Sequence, residues 1–126
     1  MVKMNILIAE DGLFLKSQLE DVLQPYAIRV DHAHEGFAAV CAMREHQHYV
    51  VIVTHQLKNV GGVFVGTQLK KANPQTEVIL IAGGALTDLE RKRCLEKKFL
   101  VFENLDDRCK ISEAVRRIHR RLFGEL

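Results

Sequence analysis

The chain has no tryptophan and only two tyrosines among its 126 residues. It therefore lacks an obvious platform for stacking nucleic-acid bases, and a formal net charge of +2 gives no strong field for a phosphate backbone. Nucleic acid is disfavoured as a ligand on both counts. Long hydrophobic runs are missing too: the apolar stretches are strand-sized, well short of the roughly 18 residues a membrane-spanning helix needs. The N-terminus MVKMNILIAED lacks the apolar core of a secretion signal. A cytoplasmic protein with no membrane association is expected. Three cysteines, Cys41, Cys94 and Cys109, form no CxxC pair and are odd in number. They fit reduced thiols packed as small hydrophobes better than a disulfide framework. The glycine-rich AGGAL at 82–86 lacks the Lys-Ser/Thr of a phosphate loop and the GxGxxG of a dinucleotide site, and reads as a flexible turn. No linker, internal repeat or low-complexity tract interrupts the chain. Residues 1–126 read as a single domain, long enough to close one core without disulfides or metal and too short to hold an effector domain as well.

What is present is a regular alternation. Hydrophobic residues make up 48% and charged residues 27%, as in an ordinary globular protein. Five short segments rich in Val and Ile, at 4–9, 27–30, 49–53, 77–82 and 99–102, read as strands, each followed by a stretch of helical length. The first helix is expected over 13–23, ending at Pro25, the second over 36–45, and the third over 63–72, stopping at Asn73-Pro74. The fourth is expected over 87–97, with Thr87 as its N-cap. In the fifth, Ile111, Ala114, Val115, Ile118 and Leu122 share one helical face. Strands apolar on both faces, alternating with helices, imply an α/β fold: a parallel sheet covered on both sides and joined by right-handed crossovers. Functional crevices in such sheets open at the carboxyl ends of the strands. Here those ends carry Glu10 and Asp11, Thr54, Ala82 and Gly83, and Glu103.

NILIAED at 5–11, the hydrophobic VVIVTHQL beginning at 50, the double glycine at 61–62 and the order of all ten elements together resemble the receiver domain of two-component response regulators. The resemblance covers essentially the whole chain. It implies a flavodoxin-like (βα)5 sandwich with strand order 2-1-3-4-5 and a role in bacterial signalling. In that family an acidic pair holds Mg²⁺, an Asp ending the third strand accepts a phosphoryl group, and a Ser/Thr and a Lys contact that group. By position, Glu10 and Asp11 keep the acidic pair. Thr54 stands at the acceptor, Ala82 at the Ser/Thr, Glu103 with Asn104 at the Lys-Pro, and Leu100 at the aromatic switch position.

Those substitutions change the chemistry. Thr54 is uncharged, a far weaker nucleophile than a carboxylate and without an obvious base beside it, since His55 would point away along a strand. Removing one of three carboxylates weakens a Mg²⁺ site. Glu103 restores a negative charge to the crevice, and is expected to turn to solvent or pair with Lys58; a residual divalent-cation site on the three acids is the other outcome. No catalytic residue, no enzyme activity and no cofactor beyond weak Mg²⁺ are expected. With Ala82 and Leu100 the hydroxyl and the ring that would switch are both missing, so function should sit on a constitutive surface.

Two histidine pairs, His32/His34 and His46/His48, have the spacing of one strand face and read as surface residues. The basic character is concentrated at the C-terminus: residues 108–126 carry six Lys/Arg against two Asp/Glu, or +4, whereas residues 1–86 carry seven against eight, or −1. Arg116, Arg117, Arg120 and Arg121, with ERKRCLEKK on the fourth helix and Leu100 on the fifth strand, form the expected interaction face. The resemblance makes this the output and dimerisation surface, for an acidic signalling partner or a second copy. The expected activity is that of a stand-alone atypical receiver working by protein–protein contact. The alternatives are a receiver phosphorylated on an unusual acceptor and a nucleic-acid adaptor using the four arginines.

Overall fold

A computed structural model describes residues 3–57, 60–84, 86–104 and 108–124. Strands and helices alternate as β1 (Met4–Ala9), α1 (Phe14–Leu23), β2 (Ala27–Ala33), α2 (Gly36–Glu45), β3 (Val50–Thr54), α3 (Gly62–Ala72), β4 (Glu77–Ile81), α4 (Asp88–Glu96), β5 (Leu100–Phe102) and α5 (Arg108–Phe123). Every strand pairing is parallel, in the order β2-β1-β3-β4-β5. The flavodoxin-like order expected from the sequence is the one found.

The Val- and Ile-rich strands form because both of their faces find cover. Leu7, Ala9, Val51, Val53, Val78 and Leu80 point to one side and pack with Ala39, Met43, Val65, Leu69 and Cys94 from α2, α3 and α4. Met4, Ile6, Ile8, Val50, Ile52 and Ile79 point to the other and pack with Leu15, Leu19 and Leu23 of α1 and Ile111, Val115 and Ile118 of α5. Each fully buried Leu or Ile contributes roughly 1.5–3 kcal/mol through transfer from water. Five helices thus divide two and three across the sheet.

Boundaries depart from the apolar pattern where polar residues are paired. β2 runs to Ala33, beyond the expected 27–30, because Asp31 and His32 find partners inside the fold. α4 starts where expected: the Thr87 hydroxyl accepts from the Glu90 N–H and the Glu90 carboxylate accepts from the Thr87 N–H, a reciprocal capping box. On α5 the predicted stripe faces the core, and His119 is buried beside it between the rings of Tyr26 and Phe123, at centroid distances of 5.6 and 5.2 Å.

The turn from β3 into α3 admits no side chain. A Cβ on Gly62 would lie 2.1 Å from the Thr54 carbonyl oxygen, and its N–H donates to the His55 carbonyl at 2.9 Å. Gly62→Ala is expected to lower unfolding free energy by about 1–3 kcal/mol through this overlap with rigid backbone. Gly12→Ala, where nothing lies within 4 Å, should have little effect. Urea denaturation of the two variants checks the contrast.

Candidate functional site

β1, β3, β4 and β5 bring Glu10, Thr54, Ala82 and Glu103 to one end of the sheet. Glu10 is buried, and its carboxylate is turned to the start of α1: Oε1 accepts from the Leu15 N–H at 2.8 Å and Oε2 from the Lys16 N–H at 2.9 Å. The residue in the N-cap position, Leu13, has no side-chain cap to offer, so Glu10 supplies it from outside the helix. His32 Nε2 lies 3.2 Å from Glu10 Oε2, which ties β2 to the same carboxylate. Asp11 is exposed, and its carbonyl oxygen lies 3.2 Å from His34 Nδ1.

Thr54 is the half-buried last residue of β3, opposite Ile81. The strand ends there, and His55 turns toward α4, its Nε2 3.6 Å from Glu90 Oε1. The Thr87 N–H donated to Glu90 holds that carboxyl below its ordinary value. Ala82 is buried and its N–H donates to the Phe102 carbonyl. Gly83 and Gly84 follow in left-handed conformations, φ +62 and +76, which favour glycine. Gly83 N–H donates to the Glu103 carbonyl at 2.8 Å, so this part of the expected flexible turn is pinned to the end of β5.

Glu103 is held by a cation of α4. Its carboxylate takes the Arg91 guanidinium of α4 at 2.9 Å, with both side chains about half exposed; Lys58 lies outside the described residues. Glu10, Asp11 and Glu103 do not converge, and no cluster of three or more His, Cys, Asp or Glu able to hold a metal exists among the described residues. The residues present do not fit the Mg²⁺ that the fold implies. Thr54 supplies no charge, and both oxygens of Glu10 are engaged by helix amides.

Two of the four histidines depart from the expected surface position, while His34 is exposed as expected. His48 is completely buried, and His32 has a side chain only 8% exposed. His48 Nε2 lies 2.7 Å from Asp31 Oδ2, while its Nδ1 is buried without a partner. A neutral ring leaves only an unused lone pair at Nδ1, whereas a protonated ring would bury an unsatisfied donor. Burial pushes the His48 pKa below its usual 6.5, outweighing the pull of Asp31. On Asp31, burial acts upward, but the hydrogen bond from His48 and the charge of Arg29 overcome it and leave the carboxyl below 3.8.

Arg116, Arg117, Arg120 and Arg121 are all exposed. Arg116 and Arg117 reach Glu113 at 3.5 and 3.6 Å, and Arg121 pairs with Glu77 at the start of β4. Leu100 is 38% exposed at the edge of the sheet. Of the cysteines, Cys94 is buried as expected and burial raises its thiol pKa, Cys41 is half-buried, and Cys109 is exposed. The sequence shows Glu90, Arg91 and His32 only in other roles, the first two within the basic run of the fourth helix and the third in a surface pair. Glu90 carries one further signal, as the fourth residue of Thr-x-x-Glu.

Glu10→Ala should cost about 2 kcal/mol of stability by orphaning two amides of α1, measurable by urea denaturation. Stability should also fall as pH drops below about 6.5, because the unfolded chain takes up a proton that folded His48 refuses. A second loss follows below 3.8 as Asp31 is protonated. His48→Gln keeps a neutral donor and should flatten the first decline while leaving the second, as read from denaturation midpoints across pH.

No protein-family model and no curated protein matches the chain. Solved structures do. The signal receiver domain of an HD domain-containing protein from Pseudomonas fluorescens superposes with a TM-score of 0.83 at 17% identity, covering 98% of this chain and 100% of that one. The signal receiver domain of the putative response regulator NarL from Mycobacterium tuberculosis gives 0.76 at 18% identity, covering 95% and 98%. CheY from Borrelia burgdorferi, in a complex with CheX, BeF3 and Mg²⁺, gives 0.74 at 22% identity, covering 97% and 90%. The chain has the fold of response-regulator receiver domains.

Proposed function

We propose that the chain is a receiver-like domain of a two-component signalling system, and that it works through constitutive protein contacts without accepting a phosphoryl group on β3. The carrying observation is Thr54 at the end of β3. Among the described residues no base is aimed at it, since His55 Nε2 is turned to Glu90, and Glu10 is committed to the amides of α1. A hydroxyl without a base and without a metal to shield the incoming charge is a poor phosphoryl acceptor.

The contact surface that best fits this reading is the groove between β5 and α5. Its cavity of about 800 Å³ is floored by Leu100, Phe102, Ala114 and Ile118 and edged by Lys70, Lys98 and Lys110. An apolar floor with a mainly basic rim suits an acidic signalling partner, and a second copy is the competing occupant. The CheY of Borrelia burgdorferi is likewise held with a protein, CheX. The nucleic-acid reading loses support, because Arg116, Arg117 and Arg121 are engaged with Glu113 and Glu77.

Incubation with acetyl phosphate and Mg²⁺ is expected to leave the intact mass unchanged. Beryllofluoride should move no amide resonances around Glu10, Asp11 and Thr54. A stoichiometric phosphoryl adduct, or saturable shifts spreading from Thr54 to α5, would overturn the proposal.

A further inference from the structure

α2 and α3 leave a groove between them on the sheet face opposite α1 and α5. One end is apolar and open: Phe37 is 73% exposed, Phe64 55% and Val60 37%, around a cavity of about 300 Å³. Past Val40 and Gln68 the groove runs into a second cavity of about 670 Å³ edged by Arg44 and Lys71. Neither cation has an ion-pair partner among the described residues. Phe37 and Arg44 are seven residues apart, as are Phe64 and Lys71. Each helix therefore presents a ring and, about 10 Å along the same face, a positive charge.

α1 carries the same spacing with the opposite sign. Phe14 is 59% exposed, and seven residues later stands Asp21, exposed, with Glu20 beside it. Neither acid has an ion-pair partner among the described residues. Both sit in the last turn of α1, where the helix dipole disfavours carboxylates, so the stability of α1 does not account for them. Since α1 covers the other face of the sheet, it cannot reach the groove of its own molecule.

We propose that the α2–α3 groove receives α1 of a second copy, with Phe14 between Phe37 and Phe64 and Asp21 against Arg44 and Lys71. Glu35, which closes the apolar end of the groove, then faces the positive N-terminal end of the incoming helix. Donor and acceptor surfaces differ, so the contact is heterologous: each molecule offers one of each, and assembly runs head to tail past the dimer. A helix of 10 residues covers less than the roughly 800 Å² per partner of a standard interface, so association is weak.

Sedimentation velocity over a concentration series tests this. The average mass should rise with concentration and pass the dimer. Phe37→Asp, which spoils the groove, and Asp21→Lys, which spoils the helix, should each give a monomer with an unchanged circular dichroism spectrum. Mixed together, the two variants should form a one-to-one pair that grows no further, because one keeps an intact α1 and the other an intact groove. Combining Asp21→Lys with Arg44→Glu and Lys71→Glu in one chain should restore the rise. A wild-type chain that stays monomeric to millimolar concentration overturns the proposal and leaves the groove to another protein. So does a mass that stops at the dimer, or a mixture of the two variants that remains monomeric.

Discussion

Two amides and one carboxylate set the working end of this molecule. Leu15 and Lys16 donate to Glu10 because α1 begins without a capping side chain or an acid in its own first turn. That bond pair seats α1 against β1 and places Leu15, Leu19 and Leu23 in the core. His32 closes on the same carboxylate from β2. An acid at the mouth of a crevice is easily assigned to a ligand. Here it is part of the scaffold, and the rest of the crevice is arranged around its being occupied. Glu103 is drawn aside to Arg91 and His55 is turned to Glu90, so the charges at this end of the sheet are paired along its rim.

The fold was legible in the sequence because burial writes a simple pattern. MNILIA, VVIV and EVILI admit few readings once helices separate them, and the buried strands β1, β3 and β4 fall within a residue of the apolar runs. Legibility failed where a polar residue earns its burial from a distant partner. Asp31 and His48, seventeen residues apart, meet at 2.7 Å across β2 and the approach to β3, and nothing local in either segment announces it. The same holds for His119, whose ring packs as an aromatic against Tyr26 and Phe123.

At the candidate site the positions were readable and the orientations were not. Spacing placed Thr54, Ala82 and Glu103 at strand ends, where they lie. Which way Glu10 would turn depends on the capping needs of a helix four residues on, and which cation Glu103 would meet depends on how α4 crosses the end of β5. The pairing of the basic runs was hidden for a related reason. A count of Arg and Lys ignores Glu113 one turn back along α5 and Glu77 across the sheet, which draw part of that charge inward.

The strand order carries a consequence for how the chain comes together. β1 lies between β2 and β3, so the first strand to be synthesised has its second edge open until the third is made. The β1-α1-β2 unit can assemble from neighbouring segments. Joining Ile6 to Val50 must bring together residues separated by a helix, a strand and another helix. Closing so long a loop costs entropy before the pairing repays it. Until residue 54 has emerged and the chain has turned at Gly62, the largely buried strand β1 has an unsatisfied edge, and that interval is when the nascent chain is most exposed to mispairing.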